Sequence, residues 1–354
     1  IESTRYLAVD ESRMLADPAR YYKGGKPDLQ LFDKKLYEVN PDDKVAIARA
    51  AAEEVLGKDE RIISVDSSYS DGEGSSYRLI SNGFEGESKS TWFSVSASVS
   101  IKGEGEARPQ DYWYDSALFY DKLTKTGIGA KALERVLRKL GQKKAKSGKY
   151  TMVVDPMNVG NLLSPMLSAL YGSALQQKNS FLMDKLDAKV ASDLFTLRDE
   201  PHVIGANGSR YFDNEGVATE PRTVFDKGVL KTYFIDTYNG KKMNMAPTIS
   251  TPSRLILAPG DKDLNGLVAD VKQGILVTGF NGGNSNSSTG DFSYGIEGFL
   301  IEDGKLTQPV NEMNVTGNMV ALWNSLVAVG NDPQPNRSWQ IPSLVFEGVD
   351  FSGL

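Results

Sequence analysis

The pattern that most constrains the fold of this chain lies at residues 91–101, where every second side chain is apolar. The apolar set is Phe93, Val95, Ala97, Val99 and Ile101. Because successive side chains of a β-strand point to opposite faces, this period of two predicts a strand with one buried and one polar face. Residues 62–67 and 77–81 are also predicted as strands. The Asn82-Gly83 pair is a turn signal after the second of them.

Helical patterns lie on both sides of these strands. One helix begins at Pro41, with acidic residues in its first turn, and ends before Gly57. Another runs from about 128 to 140 and is followed by a basic tract at 141–149. No aromatic residues interrupt that tract, so it is interpreted as the solvated end of a helix and not as a nucleic-acid patch.

The basic tract also marks the predicted domain boundary. A chain of 354 residues exceeds the usual size of one hydrophobic core, so two domains are expected. Residues 1–145 are predicted to form an N-terminal or central α/β part with antiparallel strands and flanking helices. Residues 150–354 are predicted to form a β-rich C-terminal domain.

Short strands and frequent glycines dominate the sequence after residue 150. They predict an α+β fold class, in which the C-terminal domain has a strongly curved antiparallel sheet and a few helices. Helices are predicted at 162–170, 184–195, 264–273 and 319–327. Strands are predicted at 222–225, 229–238, 254–258, 274–279, 298–302 and 343–346.

Charge and composition exclude several classes of protein. The net charge of −6 and the pI of about 5.2 argue against a protein that binds nucleic acid by neutralising phosphates. The chain has no cysteine, so disulfides and thiolate metal sites are excluded, and a cytoplasmic location is consistent with this. No apolar run approaches the ~18 residues that a transmembrane helix needs, so no membrane association is expected.

The segment 150–182 predicts a strand followed by a turn and a helix. An apolar run ends at Asp155-Pro156, and a helix pattern follows until about Gly172. Downstream, a series of short motifs follows in a fixed order. They are KNSFL (178–182), DEP (199–201), FDNEG (212–216), DKGVL (226–230), GDFS (290–293), IEDG (301–304), TGN (316–318) and VGND (329–332).

These motifs, in this order, resemble the TldD/PmbA family, known as "modulators of DNA gyrase". The resemblance is greatest to its PmbA-type subunit, also called TldE, which lacks the family's HExxxH zinc motif. At the corresponding place this chain has Ser164, Pro165, Ser168 and Ala169. Serine and alanine in place of the two histidines do not hold zinc, and proline in place of glutamate is no general base. We interpret these four positions as a vestigial zinc motif.

The resemblance implies a function in a heteromeric peptidase. This chain would be the non-metal-binding subunit of a cytoplasmic metallopeptidase that processes or degrades unfolded and precursor peptides. A TldD-like partner would hold the zinc, and this chain would need no cofactor. Family members usually have a further α/β segment before the equivalent of residues 15–18, so an N-terminal portion of the natural protein is expected to be missing here.

Few residues of the chain could carry chemistry. His202 is the single histidine and lies in a turn, so neither a zinc triad nor a serine triad can be assembled. Asp213 and Glu215 could orient a water, bind a cation or accept a peptide amide, although a tight turn is the favoured explanation. Gly282 and Gly283 would let backbone approach a ligand.

The substrate-cleft prediction therefore comprises six residues, and two other classes of function stay open. The first is a peptide-binding homodimer that needs no partner. The second is an independent hydrolase with a metal held by oxygen ligands alone. The six predicted cleft residues are Asp213, Glu215, Gly282, Gly283, Asp291 and Ser293.

Overall fold

The computed structural model describes residue 6 and residues 8–354. Its N-terminal sheet has three antiparallel strands in the order β1-β2-β3, which are β1 (Ile62–Ile80), β2 (Phe84–Ile101) and β3 (Gln110–Ala117). The alternation at residues 91–101 gives β2 one buried face and one more exposed face, as predicted. Phe93, Val95 and Val99 are fully buried, whereas Trp92 is 45% exposed on the other face.

Two helices cover the apolar face of this sheet. They are α1 (Pro41–Glu53) and α2 (Ile128–Leu137), and they share one hydrophobic cluster with β2. Close contact between the helices requires a glycine at position 129, because a Cβ there would lie 1.9 Å from the carbonyl oxygen of Ala51. Both predicted helices are therefore confirmed.

The β1–β2 hairpin is longer than the sequence predicts. Residues 62–67 and 77–81 were predicted as separate strands, but β1 continues through the residues between them and pairs with β2 from Ile62 to Ile80. The intervening residues are rich in serine, glycine and aspartate, which have weak strand propensity, so pairing with β2 decides their conformation. The turn at 81–83 lies where Asn82-Gly83 predicts it.

A curved sheet forms the centre of the C-terminal part. Its strands lie in the order β11 (Lys305–Asn318), β10 (Asp291–Glu302), β9 (Gln273–Ser285), β4 (Gly148–Val154), β14 (Leu344–Ser352) and β12 (Leu326–Val329). An additional β11–β14 pairing closes five of these strands into a ring. All pairs are antiparallel except β4 with β9. The predicted α+β class with a strongly curved sheet is confirmed.

Alternate residues of the curved sheet enter two hydrophobic clusters. Met152 and Val154 of β4 join the large cluster that contains helix α3 (Gly160–Ser168), whereas Val153 joins a smaller cluster with α6 (Leu264–Ala269). This part of the sheet is thus covered on both faces, which explains why residues 152–154 of β4 and 275–277 of β9 are apolar runs.

The remaining strands form a second sheet in the order β13-β8-β5-β6-β7. The C-terminal helices are α3 (Gly160–Ser168), α4 (Gly172–Gln176), α5 (Thr237–Met243), α6 (Leu264–Ala269) and α7 (Met319–Asn324). The C-terminal strands are β4 (Gly148–Val154), β5 (Leu197–Asp199), β6 (Arg222–Asp226), β7 (Val229–Leu230), β8 (Leu255–Leu257), β9 (Gln273–Ser285), β10 (Asp291–Glu302), β11 (Lys305–Asn318), β12 (Leu326–Val329), β13 (Trp339–Gln340) and β14 (Leu344–Ser352).

Two element predictions in the C-terminal part are wrong, and one long strand was missed. The helix predicted at 184–195 is a series of turns, because Asp184 and Asp187 adopt positive φ angles of 59° and 60°. The strand predicted at 229–238 ends at Leu230, since Asp236 caps α5 and starts a helix instead. Strand β11 was not predicted at all.

Among the described residues, no helix is long and apolar enough to cross a membrane.

Candidate functional site

Helix α3 and the residue after it carry the four positions predicted to correspond to the family's zinc motif. Ser164 and Ser168 are exposed, Pro165 is half-buried, and Ala169 is only 1% exposed just after the last helical residue. A serine hydroxyl at 164 and an alanine methyl at 169 supply no imidazole ligand, and Pro165 supplies no general base.

The turn before α3 is set by a buried carboxylate. Asp155 accepts hydrogen bonds from the Met157 amide at 2.7 Å and the Asn158 side chain at 3.1 Å. Burial raises the pKa of Asp155, and the Arg135 guanidinium, 3.9 Å away, opposes that shift. These contacts make Asp155 a turn-forming residue that positions the start of α3.

His202 is held by neighbours that do not bind metals. Its Nε2 lies 3.0 Å from Thr219 Oγ1, and its ring packs 5.1 Å from the ring of Tyr211. The Thr219 hydroxyl donates its hydrogen to the Arg210 carbonyl oxygen, so Nε2 of the histidine must be the donor to Thr219. Burial, with a smaller effect of Lys26, lowers the pKa of His202.

Asp213 is buried and uses both carboxylate oxygens within its own surroundings. Oδ1 accepts the amides of Glu215 and Val217 at 2.9 and 3.0 Å. Oδ2 accepts the amide and the hydroxyl of Ser250 at 3.0 and 2.8 Å. Four donors on one carboxylate favour the turn-forming interpretation, in which Asp213 ties its loop to the bend at residue 250.

The side chain of Glu215 lies against the first residue of helix α5. Its carboxylate accepts the amide of Thr237 at 3.0 Å and the hydroxyl of the same residue at 3.0 Å. A carboxylate at this end of a helix satisfies an amide that has no partner within the helix. Burial raises the pKa of Glu215, and the hydrogen bonds from Thr237 oppose that shift.

The other four predicted cleft residues lie at the exposed end of the β9–β10 hairpin. A Cβ at Gly283 would lie 2.1 Å from the carbonyl oxygen of Ser293, so this glycine allows β9 to approach β10. Gly282 also has a positive φ, of 73°. Asp291 accepts from Asn318 and Thr289, and these hydrogen bonds lower its pKa.

The six predicted cleft residues thus fall into two groups. Asp213 and Glu215 contact the 237 and 250 regions, whereas Gly282, Gly283, Asp291 and Ser293 share the β9–β10 hairpin. Within residues 8–354, no group of three or more histidine, aspartate or glutamate side chains is arranged to hold a metal. The donors of these described residues therefore do not fit a zinc ion.

A cleft of about 330 Å³ separates the β1–β2 hairpin from the loop that carries Asp213. The sequence did not predict it, because its walls come from segments far apart in the chain. The one sequence signal was the FDNEG motif, whose Asp213 and Asn214 form part of one wall. The remaining lining residues include Tyr22, Leu29, Ser76, Arg78, Ser88, Lys89 and Tyr211.

Two family models match this chain and together leave few residues unmatched. Residues 34–140 match the PmbA/TldA metallopeptidase central domain, and residues 147–353 match the PmbA/TldA metallopeptidase C-terminal domain. The chain belongs to the PmbA/TldD metallopeptidase family. The family resemblance seen in the sequence motifs is thereby confirmed.

Individual relatives agree with this assignment. The chain is 29% identical to the metalloprotease PmbA homolog of Haemophilus influenzae, over 99% of this chain and 78% of the relative. It is 27% identical to metalloprotease PmbA of Escherichia coli O157:H7, over 100% of this chain and 78% of that protein.

Solved structures are similar over nearly the whole chain. A crystal structure from Bacteroides thetaiotaomicron, described as a candidate modulator of DNA gyrase, is 73% identical with a TM-score of 0.99 and covers 100% of this chain and 81% of that one. TldE from Thermococcus kodakarensis has a TM-score of 0.81 at 22% identity and covers 99% of this chain and 82% of that one. The second likeness supports the fold alone.

Proposed function

We propose that this chain is the non-metal-binding, TldE-like subunit of a cytoplasmic TldD/TldE-type metallopeptidase that processes or degrades unfolded and precursor peptides. The observation that carries the proposal is the state of α3. By the family resemblance, Ser164 and Ala169 stand where the zinc motif has histidines, and neither side chain can hold zinc. Zinc would reside in a TldD-type partner.

The role of this chain would be to complete the assembly and to hold an extended peptide. An unfolded substrate offers backbone amides and carbonyls. An exposed strand edge can form hydrogen bonds to these groups whatever the side chains of the substrate are. Asp213, Glu215 and the exposed end of the β9–β10 hairpin are the proposed contributors to the substrate cleft. The buried, hydrogen-bonded state of Asp213 gives that residue a supporting role in the loop.

A peptidase assay tests the proposal. An unfolded, fluorogenic peptide is incubated with the purified chain, with a TldD-type zinc subunit, and with the two combined. We expect cleavage by the mixture to exceed the sum of the separate rates, and a zinc chelator should abolish it. Chelator-sensitive cleavage by this chain alone would instead support the independent hydrolase with oxygen ligands.

A second outcome would favour the peptide-binding homodimer. That alternative predicts that the chain elutes as a dimer and binds peptide, and that the zinc subunit neither associates with it nor is accelerated by it. Size-exclusion chromatography with light scattering on the same three samples separates the two possibilities.

A further inference from the structure

The β1–β2 hairpin extends beyond the third strand of its sheet. Strand β3 pairs with β2 only from Phe93 to Ser100. Strand β1 pairs with β2 along its full length, down to Ile80 opposite Phe84. Among the residues that the structure describes, no strand therefore pairs at residues 85–90 with the edge of β2 that faces away from β1.

One hydrogen bond shows which backbone groups point outward from this edge. The amide of Thr91 donates to the carbonyl oxygen of Leu31 at 3.0 Å, so it points away from β1. Backbone groups on a strand repeat with a period of two, so those of Glu85, Glu87 and Lys89 point outward on the same edge. All three residues are exposed.

The same geometry applies to the opposite edge of the hairpin. Directly opposite residues of an antiparallel pair share their orientation, and Ser75 lies opposite Lys89. The backbone groups of Ser75 therefore point outward from β1. This second edge provides a matched control, because the cleft described above lies beside β2 and not beside the outer edge of β1.

The chain already uses the β2 edge to bind an extended segment of its own. Besides the bond from Thr91 to Leu31, the amide of Asp33 donates to Thr91 Oγ1 at 3.0 Å. Residues 31–33 thus lie along the edge beside Thr91, at one end of the free stretch. The free stretch at 85–89 is about 13 Å long at the usual rise of a strand, enough for about four residues of an added strand.

The cleft beside this stretch has a floor and a wall suited to side chains of an added strand. Ser76 and Ser88 line it and contact one another, with their hydroxyl oxygens 2.8 Å apart. On the far side, Tyr22 and Tyr211 stack with ring centres 5.1 Å apart. Small hydroxyls on one side and stacked aromatic rings on the other accept many side chains without selecting strongly among them.

We propose that the outer edge of β2 at residues 85–89 binds an extended, unstructured peptide as an added strand, with every second side chain in the cleft against Tyr22 and Tyr211. The inference rests on the proposed function, since it locates within this chain the surface that holds the peptide. It assigns that surface to the β1–β2 hairpin, a part of the chain that none of the six predicted cleft residues occupies.

Proline substitutions at the two edges test the proposal. Glu87→Pro removes one outward amide from the β2 edge, and Ser75→Pro removes one from the β1 edge. Neither amide belongs to the β1–β2 ladder, both residues are exposed, and both follow a glycine, so the two changes are matched at the backbone. Glu87 also lines the cleft, and the modified peptides described below separate the effect of its amide from that of its side chain. Circular dichroism of both variants verifies that they fold.

The readout is fluorescence anisotropy of a fluorescein-labelled flexible peptide of about ten residues, enough to exceed the free stretch. We expect Glu87→Pro to raise the Kd by about tenfold or more and Ser75→Pro to leave it within about twofold. Equal affinities for Glu87→Pro and the unaltered chain, or equal losses in both variants, would overturn the proposal. So would an absence of peptide binding by the unaltered chain.

Modified peptides test the same contact on the unaltered protein. Methylation of alternate backbone nitrogens removes donors from one edge of an extended peptide and leaves the other edge intact. We expect one of the two alternate methylation patterns to abolish binding and the other to preserve it. Equal binding of both would overturn strand addition. If peptide binding fails while the mixture with the zinc subunit still cleaves, this inference fails and the proposed function stands.

Discussion

At the scale of single residues, the two acids of the FDNEG motif could form a turn or take part in chemistry, and the structure favours the turn. Asp-Asn-Glu-Gly predicts a turn, and paired acids also suggest chemistry. In the structure, the Asp213 carboxylate accepts hydrogen bonds from four donors. The Glu215 carboxylate accepts the amide of Thr237, the first residue of α5. Sequence alone could not decide between the two, because Ser250 and Thr237, the partners, are distant in the chain.

Replacing Asp213 with alanine should destabilise the fold. The change leaves two backbone amides of the loop, together with the amide and hydroxyl of Ser250, without their acceptor in a buried place. We expect a loss of about 2–4 kcal/mol in the free energy of unfolding, measured by urea denaturation. The exposed neighbour Asn214→Ala is the control and should change it by less than about 0.5 kcal/mol. An equally small effect at Asp213 would contradict the turn-forming role.

His202 gives a second residue-scale prediction, because it is the single histidine and its NMR titration is unambiguous. Its pKa should lie below the ordinary 6.5, mainly because burial disfavours the charged ring. A lowered folded pKa means that protonation favours the unfolded chain. The contribution of His202 to the free energy of unfolding is therefore fully present above pH 6.5, and it is lost as the pH falls through the folded pKa. An imidazole that titrates at or above 6.5 would refute this.

At the scale of elements, α3 lies where the family resemblance predicts a zinc helix, but its side chains at the motif positions cannot bind zinc. The resemblance placed the helix correctly, since hydrophobic spacing and the Asp155-Pro156 turn are local signals. The sequence could not show that position 164 is exposed and position 169 is buried. That difference arises from packing of α3 against the large hydrophobic cluster.

Histidine substitutions at the two positions of α3 should differ sharply. Ser164→His places an imidazole in solvent and should change the free energy of unfolding by less than about 0.5 kcal/mol. Ala169→His forces a ring into a filled core and should cost about 2 kcal/mol or more. Denaturation of each single variant, and of the double variant with and without zinc, provides the measurement. Stabilisation of the double variant by zinc would show that the two positions still converge.

Elements with a strong local period were predictable, and those formed by pairing were not. Residues 91–101 alternate strictly, and the strand was predicted correctly. Strand β11 and the middle of β1 lack such a period, so contacts with β10 and β2 decide their conformation. The false helix at 184–195 has helical spacing, but aspartates in a left-handed conformation interrupt it.

At the scale of the whole molecule, charged side chains join α2 to the curved sheet. Lys139, just after α2, lies 2.8 Å from Glu297 of β10 and 3.2 Å from Asp111 of β3, and the three side chains are mostly buried. Such a network cannot be predicted from sequence, because its members lie on three separate elements. The cleft beside β2 was missed for the same reason.

Breaking this contact should cost more than breaking a comparable pair on the surface. Glu297→Ala leaves part of a mostly buried lysine unpaired and should lower the free energy of unfolding by about 2 kcal/mol. The control is Asp350→Ala, which removes the partner of Lys149 at 2.9 Å, where the side chains are 66% and 59% exposed. That change should cost less than about 0.5 kcal/mol. Similar losses in both variants would show that burial does not govern the contact.

The central claim is that this chain supplies no zinc ligands to a peptidase whose metal resides in a TldD-type partner. Zinc content, measured by mass spectrometry on the purified chain, on the partner and on their isolated complex, tests this most directly. The account predicts no stoichiometric zinc in this chain and about one zinc per pair in the complex, with the same amount in the partner alone. Stoichiometric zinc in the isolated chain, removable by a chelator, would contradict it.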